Sequence, residues 1–419
     1  MLKGGPWLRG PRDALHEAHG LGRAAAAAEE PLRAALFSAE QMVAHGRHLG
    51  TLHRLAAQRA ADWLLQRLDA NQRALEATWQ LLSESVAAGQ TVSPAAEWLL
   101  DNQYLIAEEI RSARRDLPQG YSRELPRLAA AGADTRSGSR PRVHELALQA
   151  VAHNDGRLHR GTLSRFVAAY QEGQALDIGE LWAFPIMLRL ALIENLRRVS
   201  VRIAADRADQ EAATQWAARM LQAAEGRPNE LILEVADMAR GGPALTSAFV
   251  AEFSRRLHGR GTTLALALAW TEQQLAEDGQ TIEQLVRLES QQQASAQVSV
   301  ANSIGSLRLL AGTDWREFVE TLSRIEHVLR RDPADVYGRM DFASRDAYRH
   351  AVERIARRAR CAEVEVAQRA LDLAATAQRP GAPSGSAAAA TGHVGHYLVG
   401  RGRRALEEAL GVRRRWPPR

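Results

Sequence analysis

The chain has 419 residues, of which 46% are apolar, 25% charged and only 5% aromatic. That balance excludes a disordered polymer and describes a soluble-type globular chain with room for more than one helical layer. The formal charge is +5 and Lys3 is the only lysine, but Asp and Glu are interleaved with Arg nearly everywhere, so no block of like charge marks a polyanion site. Cys361 is the single cysteine, which rules out an internal disulfide framework or a multi-cysteine metal site.

Residues 1–29, rich in Gly, Pro, Ala and Arg, read as a disordered tail. Residues 30–377 read as a helical domain. Its abundant Ala and Leu favour helix, and no alternating run is long enough for a strand. Leu32, Leu36, Met42 and Val43 fall on one face of a first helix. Leu55, Trp63, Leu64, Leu68, Leu75, Leu81 and Leu82 continue the pattern to about Ala88. The stretch "TVSPAAEWLLDNQYLIAEEIRSARRDLP" is the best-punctuated helix. Ser93 caps it, Pro94 falls where a missing N–H costs nothing, Trp98, Leu99, Leu105, Ile106 and Ile110 form its apolar stripe, and Pro118 stops it.

Residues 131–142 ("AGADTRSGSRPR") read as a loop insert. From Asp177 a long, nearly buried helix is expected, with Asp177 and Glu180 as a capping box and Pro185 kinking or restarting it. Further helices fit 208–224, 228–240, 243–257, 262–277, 279–311 and 314–331. The architecture is thus all-α, an irregular multi-helix assembly open to division into two helical subdomains. Residues 378–392 ("QRPGAPSGSAAAATG") read as a flexible linker, and 393–419 as a short helix with a basic, juxtamembrane-type tail. The greasiest run, Leu181 to Ile193, is too short to span a bilayer and contains Arg189.

Motifs that carry chemistry are scarce. There is no P-loop and no HExxH. His393 and His396 could share a helical face but lack the carboxylates and further ligands of a metal site. His153, Asn154 and Asp155 precede Gly156 where a helix ends, and read as turn chemistry rather than a pocket. The densest polar cluster is "RRDPADVYGRMDFASRDAYRHAVERIARRA". Asp341 or Ser344 can cap a helix, beginning near Phe342 or Arg345, whose inner face holds Tyr348, Val352, Ile355 and Ala356. Arg349–Glu353 and Glu353–Arg357 pairs fit an outer face. Capping and pairing leave Tyr337, Met340 and Phe342 unassigned. With Asp341, Arg345 and Arg349 they form a candidate docking surface.

That stretch resembles a segment of the cyclic β-1,2-glucan synthases. Further blocks agree in order: "PLRAALFSAEQMVAHGRHL", "SPAAEWLLDNQYLIAEEIRSARRDLP", "YSRELPRLA", "LWAFPIMLRLALIENLRR", "VSVANSIGSLRLL", "DWREFVETLSRIEHVLRRDP" and "HVGHYLVGRGRRALEEALG". Together they cover about residues 30–411. The resemblance implies the amino-terminal, non-catalytic helical region of such an enzyme, on the cytoplasmic face of a bacterial inner membrane. Its partners would be the transferase and membrane modules of the same synthase, in cis or as a split chain, with membrane proximity through the carboxyl-terminal basic segment and no specific nucleic acid. The parent would use UDP-glucose as donor with a divalent metal; this chain carries none of the catalytic motifs and implies no cofactor of its own. The alternatives are a stand-alone helical adaptor holding a polyanion or acidic membrane through arginines, and a helical glycan-binding or hydrolytic domain.

Overall fold

The computed structural model describes residues 30–56, 63–118, 120–129, 140–226, 230–378 and 391–412. The tail 1–29, most of the 131–142 insert, most of the 378–392 linker and the basic end 413–419 lie outside these residues.

Helix α1 (Ala39–Leu52) starts after Ser38, which forms a full capping box with Gln41. The chain before it is not helical, so Leu32 and Leu36 do not share a helical face with Met42, and Leu36 is exposed. Helix α2 is Leu64–Ala87. The single helix expected from Pro94 is two, α3 (Pro94–Asp101) and α4 (Gln103–Asp116). They break at Asn102, whose amide donates to the Trp98 carbonyl at 2.9 Å and whose Oδ1 accepts from Arg308 at 2.6 Å. Such local side-chain bonds compete with helix continuation. A short turn of helix, α5 (Tyr121–Glu124), precedes α6 (Arg142–Ala152) and α7 (Arg160–Gly173). Two isolated bridges, Leu55 to Leu128 and Arg127 to Pro141, tie the intervening loops, and no strand occurs among the described residues.

Helices α1 and α7 cross very closely. A Cβ on Gly46 would lie 2.6 Å from the Phe166 carbonyl, and one on Gly50 2.6 Å from that of Tyr170. Only glycine permits that approach of two backbones.

Helix α8 (Ile178–Gly226) is 49 residues long, about 73 Å at 1.5 Å per residue. It runs unbroken through Pro185 and absorbs the separate helix expected at 208–224. Leu181, Phe184, Met187, Leu188, Leu192 and Leu196 are buried around that proline, so packing holds the helix where local propensity would interrupt it. Half of the expected capping box is present: Glu180 accepts from the Asp177 N–H at 3.0 Å. Glu180 also pairs with buried Arg142, and Glu363 accepts from the Ile178 N–H at 2.9 Å, covering an orphan donor at the helix start.

Helices α9 (Leu231–Gly241), α10 (Ser247–Leu257), α11 (Ala265–Glu277) and the 31-residue α12 (Ile282–Gly312) follow. The expected 314–331 helix divides into α13 (Trp315–Leu322) and α14 (Arg324–Leu329), because Ser323 both ends the first and caps the second. The chain continues through α15 (Phe342–Ala359), α16 (Glu363–Ala377), α17 (Val394–Leu398) and α18 (Arg403–Ala409).

The helices enclose two apolar cores. The main one takes α1 to α7, the amino-terminal half of α8, the carboxyl-terminal half of α12 and α13 to α18. The second is built from residues 213–285 alone, with Met220, Met238, Phe249, Phe253 and Leu275 at its centre. Helices α8 and α12 run through both.

Candidate functional site

The stretch singled out in the sequence forms one end of the main core. Tyr337 and Arg349 are completely buried and present no surface to a partner. Met340 and Phe342 are half-buried, Arg345 is half-buried, and Asp341 is exposed. Asp341 does cap α15, accepting from the Ser344 N–H at 2.7 Å.

Arg349 turns inward rather than pairing with Glu353. Its Nη1 donates to Glu326 at 2.7 Å and to Glu320 at 3.0 Å, and its Nη2 to Asp346 at 3.1 Å. The expected Glu353–Arg357 pair forms at 2.7 Å. Tyr337 donates its hydroxyl to Glu326 at 2.7 Å, and burial together with that carboxylate pushes its pKa far above the ordinary phenol value. Arg345 makes a fork onto Glu320 at 3.0 Å through both Nε and Nη2. Phe342 lies under two guanidinium groups, Arg349 at 5.0 Å and Arg316 at 5.3 Å from its ring centre, and meets Trp182 edge-on. Each charge in the network is met by an opposite one, as burial demands. Glu320 and Glu326, which complete it, carry no signal in the sequence beyond their type.

Beside the network, Asp332 gathers a second set of partners. Its carboxylate accepts from the N–H groups of Val336, Tyr337 and Val394 at 3.1, 3.2 and 3.0 Å, and from His393 Nδ1 at 2.7 Å. Burial would raise the Asp332 pKa, but the bonds from His393 and the backbone outweigh it and hold the carboxyl below its ordinary value. His393 Nε2 lies 3.1 Å from the Tyr348 hydroxyl, which donates to it in the tautomer that carries its proton on Nδ1. This Asp–His–Tyr string has the order of a nucleophile relay, yet burial raises the Tyr348 pKa, the reverse of activation. Gly395 also packs against the hydroxyl so closely that a Cβ there would collide with it. The string acts as a clasp that holds the start of α17 on the core.

Among the described residues no three His, Cys, Asp or Glu side chains cluster to hold a metal ion. His396 meets Tyr397 edge-on rather than joining His393 at a shared site. His153, Asn154 and Asp155 do serve the end of α6. His153 occupies the cap, the Asn154 amide donates to the Ala150 carbonyl, and Asp155 takes a positive φ of 47°. No helix among the described residues is long and apolar enough to cross a membrane.

One feature that the sequence does not announce is a cleft of about 500 Å³ beside the main core, between α8 and α12. Arg202, Asp206, Gln210 and Gln292 line it with Leu82 and Val199. The signal available was faint: polar residues such as "DRADQ" and "QQQ" in the middle of two long helices.

Over 341 residues, 81% of its length, the chain is 32% identical to the cyclic β-(1,2)-glucan synthase NdvB of Rhizobium meliloti (strain 1021). The chain is related to a segment of a cyclic β-(1,2)-glucan synthase. It spans 12% of that relative's length. No family model matches the chain. For a synthase segment, the internal saturation of the 320–349 network matters, because it leaves the most conspicuous ionisable cluster occupied with its own neighbours.

Proposed function

We propose that this chain is the amino-terminal, non-catalytic helical region of a cyclic β-1,2-glucan synthase and serves as a scaffold for the transferase and membrane modules. The 32% identity over 341 residues carries this reading. The parent would transfer glucose from UDP-glucose to β-1,2-glucan at the cytoplasmic face of a bacterial inner membrane. The donor and a divalent metal belong, in this reading, to the other modules, since the described residues offer no cluster that fits the ion. Interior charge pairing supports a supporting rather than reacting role: Arg142 with Glu180, Arg189 with Glu109, and Arg349 with Glu326 are each buried as ion pairs. The candidate docking surface narrows to the residues of the network that keep some exposure, Met340, Asp341, Phe342 and Arg345. Polyanion binding draws less support, because exposed arginines such as Arg111, Arg114 and Arg404 already face Glu108, Asp69 and Glu408.

The test is reconstitution. Membranes carrying a synthase that lacks this segment are mixed with the purified chain and supplied with labelled UDP-glucose. The expected result is co-sedimentation of the chain and glucan synthesis that depends on it. Glucan formation at the same rate with and without the chain would refute the scaffold role.

A further inference from the structure

The cleft between α8 and α12 is an unassigned space on which several polar side chains converge. Its volume of about 500 Å³ lies within the range of small-molecule sites, which also form between helices of a bundle. Its formal charges cancel. Arg33, Arg202 and Arg207 stand against Glu30, Asp206 and Glu289. Most of these charges are committed: Arg202 to Asp206 and Gln292 at 3.1 and 2.8 Å, Glu289 to Ser247 and Gln293 at 2.8 Å each. The Glu30 carboxylate at the exposed edge has no partner among the described residues, and the other unpaired groups are neutral. The Gln210 amide and the Ser295 hydroxyl make no hydrogen bond to other described residues, and they face the same space as apolar Leu82, Val199 and Ile203.

This lining selects a ligand by elimination. An anion would meet Asp206 and Glu289, and a cation would meet Arg202 and Arg207, each at a desolvation cost. A purely apolar ligand would strand the amides without partners. A neutral molecule with many hydroxyls and apolar C–H faces satisfies both walls. We propose that the cleft binds a short, uncharged oligosaccharide. The sugar class follows from the lining; that it is a β-1,2-linked glucan rests on the synthase reading.

Saturation-transfer NMR on the full chain tests this with sophorose, the β-1,2-linked glucose disaccharide, and maltose as a linkage control. Sophorose is expected to bind saturably and more tightly than maltose. Gln210→Ala should weaken it by about fivefold, the weight of one hydrogen bond. Ser295→Phe, which fills the cleft from the α12 side, should abolish binding while the melting temperature stays close to that of the unaltered chain. Absence of binding to either sugar, or equal binding by the Ser295→Phe chain, overturns the cleft proposal and leaves the synthase reading untouched. Equal binding of both sugars at the cleft sustains the sugar class and removes the β-1,2 assignment.

Discussion

The Arg349 network makes a sharp prediction, because Arg349 and Glu326 are both almost wholly removed from solvent at 0% and 1% exposure. Arg349→Met keeps most of the side-chain volume and deletes the charge. Breaking one side of a buried ion pair costs about 3–5 kcal/mol, since the partner is left buried and unmatched. Here Glu326 keeps Arg330 at 2.9 Å, Arg345 at 3.5 Å and the Tyr337 hydroxyl, so the lower end, about 3 kcal/mol, is expected. An unfolding entropy of about 2.1 cal/mol/K per residue over roughly 350 residues gives about 0.7 kcal/mol/K. The shift is therefore about 4 °C if both cores melt together, and larger if the main core melts alone. Differential scanning calorimetry reads it directly. The double variant Arg349→Met with Glu326→Gln should recover part of the loss, because the stranded charge is gone. A melting temperature unchanged by Arg349→Met, or a double variant as unstable as the sum of the two singles, would refute the reasoning.

Further expectations concern the ends of the long helix, the clasp and the crossing of α1 with α7. Burial, with Asp177, Glu353 and Glu180 nearby, raises the Glu363 carboxyl to about 8. Its contribution is fully present below the unfolded value near 4.5 and is lost as pH rises through 8, so Glu363→Gln should match the unaltered chain at pH 4 and exceed it in melting temperature at pH 9. Asp332 works with the opposite sign: its stabilisation is present above its unfolded value near 3.8 and lost as pH falls through the lower folded value. Asp332→Ala should therefore expose the amides of α17 to hydrogen exchange at neutral pH, and unchanged protection of Val394 would count against the clasp. Gly395→Ala should produce the same loosening by pushing Tyr348 away from His393. Gly46→Ala must force α1 and α7 apart, at a cost of about 1–3 kcal/mol by thermal melting.

Much of the helical content was legible because caps are local. Ser93, Asp341 and Pro94 announced their helices through chemistry confined to a few residues, and the structure places them at those ends. Failures arose where a distant contact overruled a local signal. Arg308 reaches Asn102 across 206 positions and divides a helix that its own sequence describes as one. Conversely, apolar packing carries α8 across Pro185. The inward turn of Arg349 depends on Glu320 and Glu326, which come from other helices and cannot be paired from spacing along α15. The cleft was hidden for the same reason, since Asp206 and Gln292 are 86 positions apart and face the same cleft only after α8 and α12 pack.

The placement of the second core has a consequence for how the chain reaches its fold. That core uses a continuous run, residues 213–285, whereas the main core needs residues before 204 and after 299. Contacts near in sequence close early, and contacts separated by long loops close late. During synthesis the inserted unit can therefore complete itself while the main core still lacks Val300, Phe318, Val352 and everything beyond them. Until α12 to α16 emerge, the apolar sides of Phe184, Leu188 and Leu192 have no final cover. The same long helix that joins the two cores is thus half finished and half waiting, with one side of its amino-terminal half uncovered until the later helices arrive.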